Sequence, residues 1–255
     1  QLITGLILFL MLSRLIHSEL RFSLSKTLLL ETLKISYPLS PKILIGVFSN
    51  QFNTYMIGLL ATIGSAGIYD LAQKFANLIF SLMTALENVF NPKVYDYLFH
   101  GKQNRGKEIG LYLTPFIYFS VFIALLVSSF SEVFIVLLIP VEFHPAVNVI
   151  YVLSIYFTSL FFSKITSVQL FYTKKSYLIS VLSLLGLIIN ILLNIPLISE
   201  FGIMGAAFGT LFSGIIIVSV GLFFSQRAFP IVWECRKIIL IMGQFLLCNI
   251  LLLSL

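Results

Sequence analysis

The chain has 255 residues, of which 59% are hydrophobic and only 10% charged, with a mean hydropathy of +1.04. A soluble domain carries about a quarter charged residues, so this composition excludes one and describes an integral membrane protein. The net charge of +6 resides mostly in short connectors between apolar runs, which argues for membrane topology and against a nucleic-acid partner.

Period-2 alternation of the outer-membrane barrel kind is absent, and the apolar runs are long and unbroken. The expected fold class is therefore all-α, a polytopic transmembrane helical bundle of about seven or eight spans. Cys235 falls at a membrane edge and Cys248 inside a span, which makes neither a disulfide framework nor a metal site.

Residues 1–35 read as the end of a preceding span plus a charged connector, with an interfacial helix where Phe22, Leu24, Leu28, Leu29, Leu30 and Leu33 alternate with charge. The chain opens inside an apolar run, with no basic signal-peptide region, and reads as a fragment. Residues 36–255 form the transmembrane lobe, with spans expected over 38–63, 70–91, 109–130, 146–172, 177–197, 203–224 and 238–255. The first of these carries Lys42, Gly46, Ser49 and Asn53 on one face.

Asp70 to Asn91 is the most informative stretch. Asp70, Lys74, Asn77, Ser81, Thr84, Asn88 and Asn91 step by 4, 3, 4, 3, 4, 3 and share one helix face, with Gln73 and Glu87 beside it. Leu71, Phe75, Leu78, Ile79, Leu82, Met83, Leu86, Val89 and Phe90 occupy the other face. Twenty-one steps cover about 32 Å, so a polar stripe runs the depth of the hydrocarbon. Mere anchoring has no use for it, since each central charge costs a few kcal/mol. The stripe is expected to face a watery cavity or another polar helix.

Pro92 is expected to end that helix. The span over 109–130 is uniformly apolar and reads as packing. Glu132 to Pro145 is expected to form a short amphipathic or re-entrant piece. The span over 146–172 carries Lys164, and the next carries Ser183, Asn190 and Asn194. Gly205, Gly209 and Ser213 then form a small-residue row suited to close helix contact.

Lysine and arginine alternate between connectors. Connectors 14–34, 93–107, 174–175 and 227–237 hold thirteen, whereas 64–67, 131–145 and 197–202 hold none but carry Glu132, Glu142 and Glu200. The positive-inside rule then places the basic connectors in the cytoplasm.

Lys42, Lys74 and Lys164 remain within spans. Asp70 and Lys74 can form an i,i+4 pair, and Lys42 and Lys164 can snorkel. Glu87 has Lys42 and Lys164 as alternative partners, or titrates as a proton site. The asparagines serve either as helix–helix glue or as cavity donors. As a set, Lys42, Asn53, Lys74, Asn77, Ser81, Thr84, Glu87, Asn88, Lys164, Asn190 and Asn194 describe a cavity for anions and sugar hydroxyls. Asp70 and Glu87 are the candidates for ion coupling, with H+ or Na+ left open, and no other cofactor or metal is expected.

Three local patterns are similar to the oligosaccharide flippases of the polysaccharide-transporter branch of the multidrug/oligosaccharidyl-lipid/polysaccharide exporter superfamily. One is Gly64-Ser-Ala-Gly67-Ile68-Tyr69 running into a helix with Lys74. The second is Asn91-Pro92 before a basic loop. The third is Asn190-Ile-Leu-Leu-Asn194-Ile-Pro196, then Gly202 and Gly205-Ala206-Ala207. The resemblance runs from about residue 36 to 225 and implies the second half of such a transporter.

It further implies export of undecaprenyl-diphosphate-linked oligosaccharide (O-antigen, capsule or exopolysaccharide units) from the inner to the outer leaflet of the bacterial cytoplasmic membrane. Access alternates between two lobes, and glycan polymerase and chain-length proteins are implied partners. Lys74 matches the family's helix-start lysine, whereas Asn53 stands where many members have aspartate.

The rivals are a drug or peptidoglycan-precursor exporter of the same superfamily and, in another class, a membrane-embedded glycan polymerase or ligase. An enzyme is not expected, because the outer connectors are short, His144 stands alone, and no nucleophile–base pair or metal cluster is visible.

Overall fold

The computed structural model describes residues 11, 25–37, 40–101 and 104–254, and among them there is no strand. The chain divides into two units, Gln1–Tyr37 and Pro38–Leu255. In the first, Lys26–Ser36 forms a helix, α1, which leaves Leu29, Leu30 and Leu33 exposed. The rest of the expected first connector, and the apolar run before it, lie outside the described residues.

The second unit contains α2 (Ser40–Leu60), α3 (Ile63–His100), α4 (Arg105–Leu138), α5 (Ala146–Tyr172), α6 (Tyr177–Ala228) and α7 (Cys235–Ser254). Five of these six, all but α3, are long and apolar enough to cross a membrane. That is fewer than the seven or eight spans expected, partly because α6 holds two membrane-length stretches. It turns back on itself at Gly202 (φ 58°, ψ −131°). Asn190 meets Ser213 at 3.2 Å, and Asn194 lies against Gly209. The arms 177–201 and 203–228 are therefore antiparallel neighbours, and Gly202 supplies a positive φ that side chains disfavour. The connector expected over 197–202 is reduced to a turn at Gly202, with Pro196 inside the first arm.

Two other expectations are corrected. Pro92 does not end α3, which continues to His100. Proline costs the hydrogen bond to the carbonyl four residues back, but Val94 and Leu98 are buried and hold the extension in place. Nor is there a re-entrant piece after Glu132. Ser128, Ser131 and Ile135 keep a buried row on α4, which runs on to Leu138, and the two prolines of 140–145 confine the break to a single 3-10 turn, Val141–Phe143.

α5 is the central helix. Eighteen of its 27 residues are buried, from Ala146 to Leu170, and it packs against α3, α4, α6 and α7. α2 closes the unit by packing on α3 and α6. Within this unit the basic connectors after α3, α5 and α6 lie at one end, where Phe229 accepts a hydrogen bond from Gln169 (2.7 Å) and Tyr172 packs edge-on against Phe229 and Phe99. The acidic residues Glu142 and Glu200 mark the opposite end.

α3 has three sides. Tyr69, Ala72, Ala76, Ile79, Met83 and Phe90 are buried in the core. One step around the helix, Lys74, Asn77, Ser81 and Asn88 are exposed. A further step brings Leu78, Leu82 and Val89, also exposed. The polar stripe thus has an apolar flank on one side and the core on the other.

Candidate functional site

A cavity of about 370 Å³ opens between α2, α3, α5 and both arms of α6. Lys42, Ser49 and Asn53 reach it from α2, Gln73, Asn77 and Phe80 from α3, and Tyr156, Phe157 and Ser163 from α5. The hairpin contributes Ser183, Asn190, Thr210 and Ser213. A smaller extension of about 70 Å³ continues between Lys42, Ser163, Thr166, Ser167 and Ser183. The lining is an aromatic and aliphatic wall with convergent neutral hydrogen-bonding groups and one cation. Sites that orient a mixed polar and apolar molecule have that composition.

Along one side of the cavity, a chain of hydrogen bonds joins four helical segments. Asn53 donates to Thr210 Oγ1 (3.0 Å) and Tyr69 OH (3.5 Å), and the Tyr69 and Thr210 hydroxyls lie 3.2 Å apart. Asn194 donates to Asn53 Oδ1 (2.9 Å) and Asn190 Oδ1 (3.0 Å), while Asn190 donates to Ser213 (3.2 Å). Asn53, Tyr69, Asn194, Thr210 and Ser213 are all buried. Each bond spares a buried amide or hydroxyl the cost of going unmet, so the network fixes the register of α2 and α3 on the hairpin, with Asn194 Oδ1, packed against Gly209, left without a partner among the described residues.

Two lysines are treated differently. Lys164 on α5 pairs with Glu87 on α3, also donates to Thr84 Oγ1 (3.1 Å), and lies 4.7 Å from the centre of the Phe80 ring. The Lys164 and Glu87 side chains are 13% and 22% exposed, so the pair is largely shielded. Lys42 feels both charges yet has no ion-pair partner of its own among the described residues. It faces the cavity and its small extension instead. With Glu87 committed to Lys164, the charge that the described residues bring to the cavity is the ammonium of Lys42.

The candidates named from the sequence therefore separate. Lys42, Asn53, Asn77 and Asn190 line the cavity. Thr84, Glu87 and Lys164 form a cluster joined to it through Phe80. Asn194 is buried in the network. Lys74 pairs with Asp70 at 2.7 Å and is 72% exposed. Lys74, Ser81 and Asn88 are on the exposed polar face of α3 and do not contribute to the lining.

Tyr69, Thr210, Tyr156, Phe157 and Ser163 were not singled out as site residues. The signal for Thr210 was present, since Ala206, Thr210 and Ser213 continue the small row of the second arm at helical spacing. Among the described residues no group of three or more His, Cys, Asp or Glu could hold a metal ion. No family model, no curated protein and no solved structure matches this chain.

Proposed function

We propose that the chain is the cavity-bearing lobe of a flippase that carries lipid-linked oligosaccharide across the bacterial cytoplasmic membrane. The five long apolar helices are compatible with a multi-pass membrane protein. A diphosphate and several sugars cannot cross hydrocarbon unaided and need a polar pocket open to one side at a time. The observation that carries the reading is Lys42, a cation without an ion-pair partner among the described residues, in a cavity otherwise furnished with amides and hydroxyls. Lys42 attracts the anionic head. Asn53, Gln73, Asn77, Asn190 and Ser183 exchange hydrogen bonds with sugar hydroxyls, and the polyprenyl tail stays in the bilayer.

In this reading the basic connectors face the cytoplasm, and the exposed Asn77, Ser81 and Asn88 of α3 border the cleft toward a second lobe. Glu87 and Asp70 are the carboxylates available for H+ or Na+ coupling. The glycan polymerase and chain-length proteins act on the product on the far side, and the chain itself performs transport without bond-making chemistry.

Lys42→Ala in the full-length transporter tests the proposal. Glycan export is expected to fall by about tenfold or more, the loss of one charge-assisted contact. Export at the wild-type rate would remove Lys42 from substrate binding. A second reading, an exporter of amphipathic drugs, is favoured by the aromatic wall of Phe80, Tyr156 and Phe157. Growth protection against such compounds without any glycan phenotype would select it.

A further inference from the structure

The outer surface carries a second concavity, between α3 and α4 and separate from the cavity. Phe75 and Leu78 on α3 and Leu126, Phe130 and Phe134 on α4 enclose about 330 Å³. That is more than twice the roughly 150 Å³ that accommodates a benzene ring. From Leu126 to Phe134 the groove is about 12 Å long. Its one polar residue, Ser131, is turned away, donating to Ser128 O at 2.7 Å. The floor therefore offers no hydrogen bond and suits a hydrocarbon chain.

The upper rim is charged. One turn along α3 toward the acidic end, Asp70 and Lys74 form their 2.7 Å pair with 45% and 72% of their side chains exposed. A further turn on, Gly67 faces Phe143 in the turn that follows α4. The ion pair therefore sits about 10–16 Å from the start of α3 at Ile63, with Lys74 one turn from Leu78 of the groove. An exposed ion pair is unstable against hydrocarbon, so in a bilayer this rim lies at headgroup depth.

We propose that this groove binds one chain of a zwitterionic phospholipid whose head carries a phosphate and a primary ammonium. The phosphate meets Lys74 and the ammonium meets Asp70, which matches the rim charge for charge. An anionic head would leave Asp70 facing like charge. A quaternary ammonium could not donate a hydrogen bond to the carboxylate. The site requires only that the helices span a bilayer, so its failure leaves Lys42 and the cavity untouched, whereas its success takes Asp70 out of ion coupling and leaves Glu87 for that role.

The test is native mass spectrometry of the detergent-purified chain titrated with dioleoyl phosphatidylethanolamine, phosphatidylcholine or phosphatidylglycerol. The ethanolamine lipid is expected to be retained about tenfold more tightly than the other two. Lys74→Gln and Asp70→Asn should each abolish that preference while leaving the unfolding midpoint close to wild type. Leu126→Trp, which fills the groove, should remove the retained lipid. Equal retention of all three lipids, a preference for phosphatidylglycerol, or a preference that survives Lys74→Gln would overturn the proposal.

Discussion

Glu87 belongs to the inward row of α3, between buried Met83 and Phe90, and Lys164 reaches it from α5, a helix 77 residues further along the chain. The polar stripe of α3 therefore does not act as one unit. Its neighbouring row supplies an interhelical ion pair, and its outer members face away from the core.

Removing one partner of that pair should cost more than removing both. Glu87→Gln leaves the Lys164 ammonium shielded and unpaired, with an expected loss of about 1–3 kcal/mol after discounting for its partial exposure. Glu87→Leu combined with Lys164→Met should recover at least half of it. Denaturant unfolding of Glu87→Leu, Lys164→Met and the double variant, as a cycle, measures the coupling.

Gly209 and Asn194 make a sharper case. A Cβ on Gly209 would lie 1.9 Å from Asn194 Oδ1, so Gly209→Ala forces the amide out of its network and should cost about 1–3 kcal/mol. Asn194→Ala removes the obstructing amide. The double variant should then be more stable than the sum of the single losses implies, and thermal unfolding in detergent would show it.

Gly202 holds the hairpin in a conformation open almost only to glycine. A Cβ there meets nothing within 4 Å, so Gly202→Ala isolates backbone strain from packing. The expected loss is about 1–3 kcal/mol, with helix content by circular dichroism unchanged. A loss below the error of the measurement would show that the turn relaxes freely.

A separate buried cluster links Ser128 to Ser154 (2.9 Å) and Ser154 to Asn249 (3.2 Å) across α4, α5 and α7. α7 is otherwise mostly exposed, with Phe245 and Asn249 its buried residues. Asn249→Leu removes the bond between α7 and Ser154, whose hydroxyl keeps Ser128 and the Tyr151 carbonyl as partners, and should loosen α7 specifically. The neighbouring free thiol of Cys248 reports it. In detergent, maleimide labelling of Cys248 should change while that of Cys235 does not.

The helices were legible because a hydrophobic run of twenty residues has few other solutions, and Ala146–Tyr172 is the expected interval. Helix ends were less legible. Whether Pro92 stops a helix depends on what Val94 and Leu98 pack against, and one chain segment does not carry that information. The cavity was half legible. Asn77 and Asn190 stand out by polarity, and hydrocarbon tolerates few such groups without a role. The division of labour between Lys42 and Lys164 depends on which of them reaches Glu87, a long-range contact with no local signature. Lys74 drew attention for its charge and proved to sit on the outside, already paired.

The central claim is that water and a hydrophilic solute enter the space between α2, α3, α5 and α6. In membranes bearing the full-length protein, with Cys235 and Cys248 replaced by serine, single cysteines at Asn77 and Ser183 should react with a membrane-impermeant, water-soluble thiol reagent. A cysteine at Leu137, exposed on the apolar surface of α4, should not. Silence at Asn77 and Ser183 from both sides of the membrane would contradict the account, because a cavity that water does not reach cannot carry a sugar.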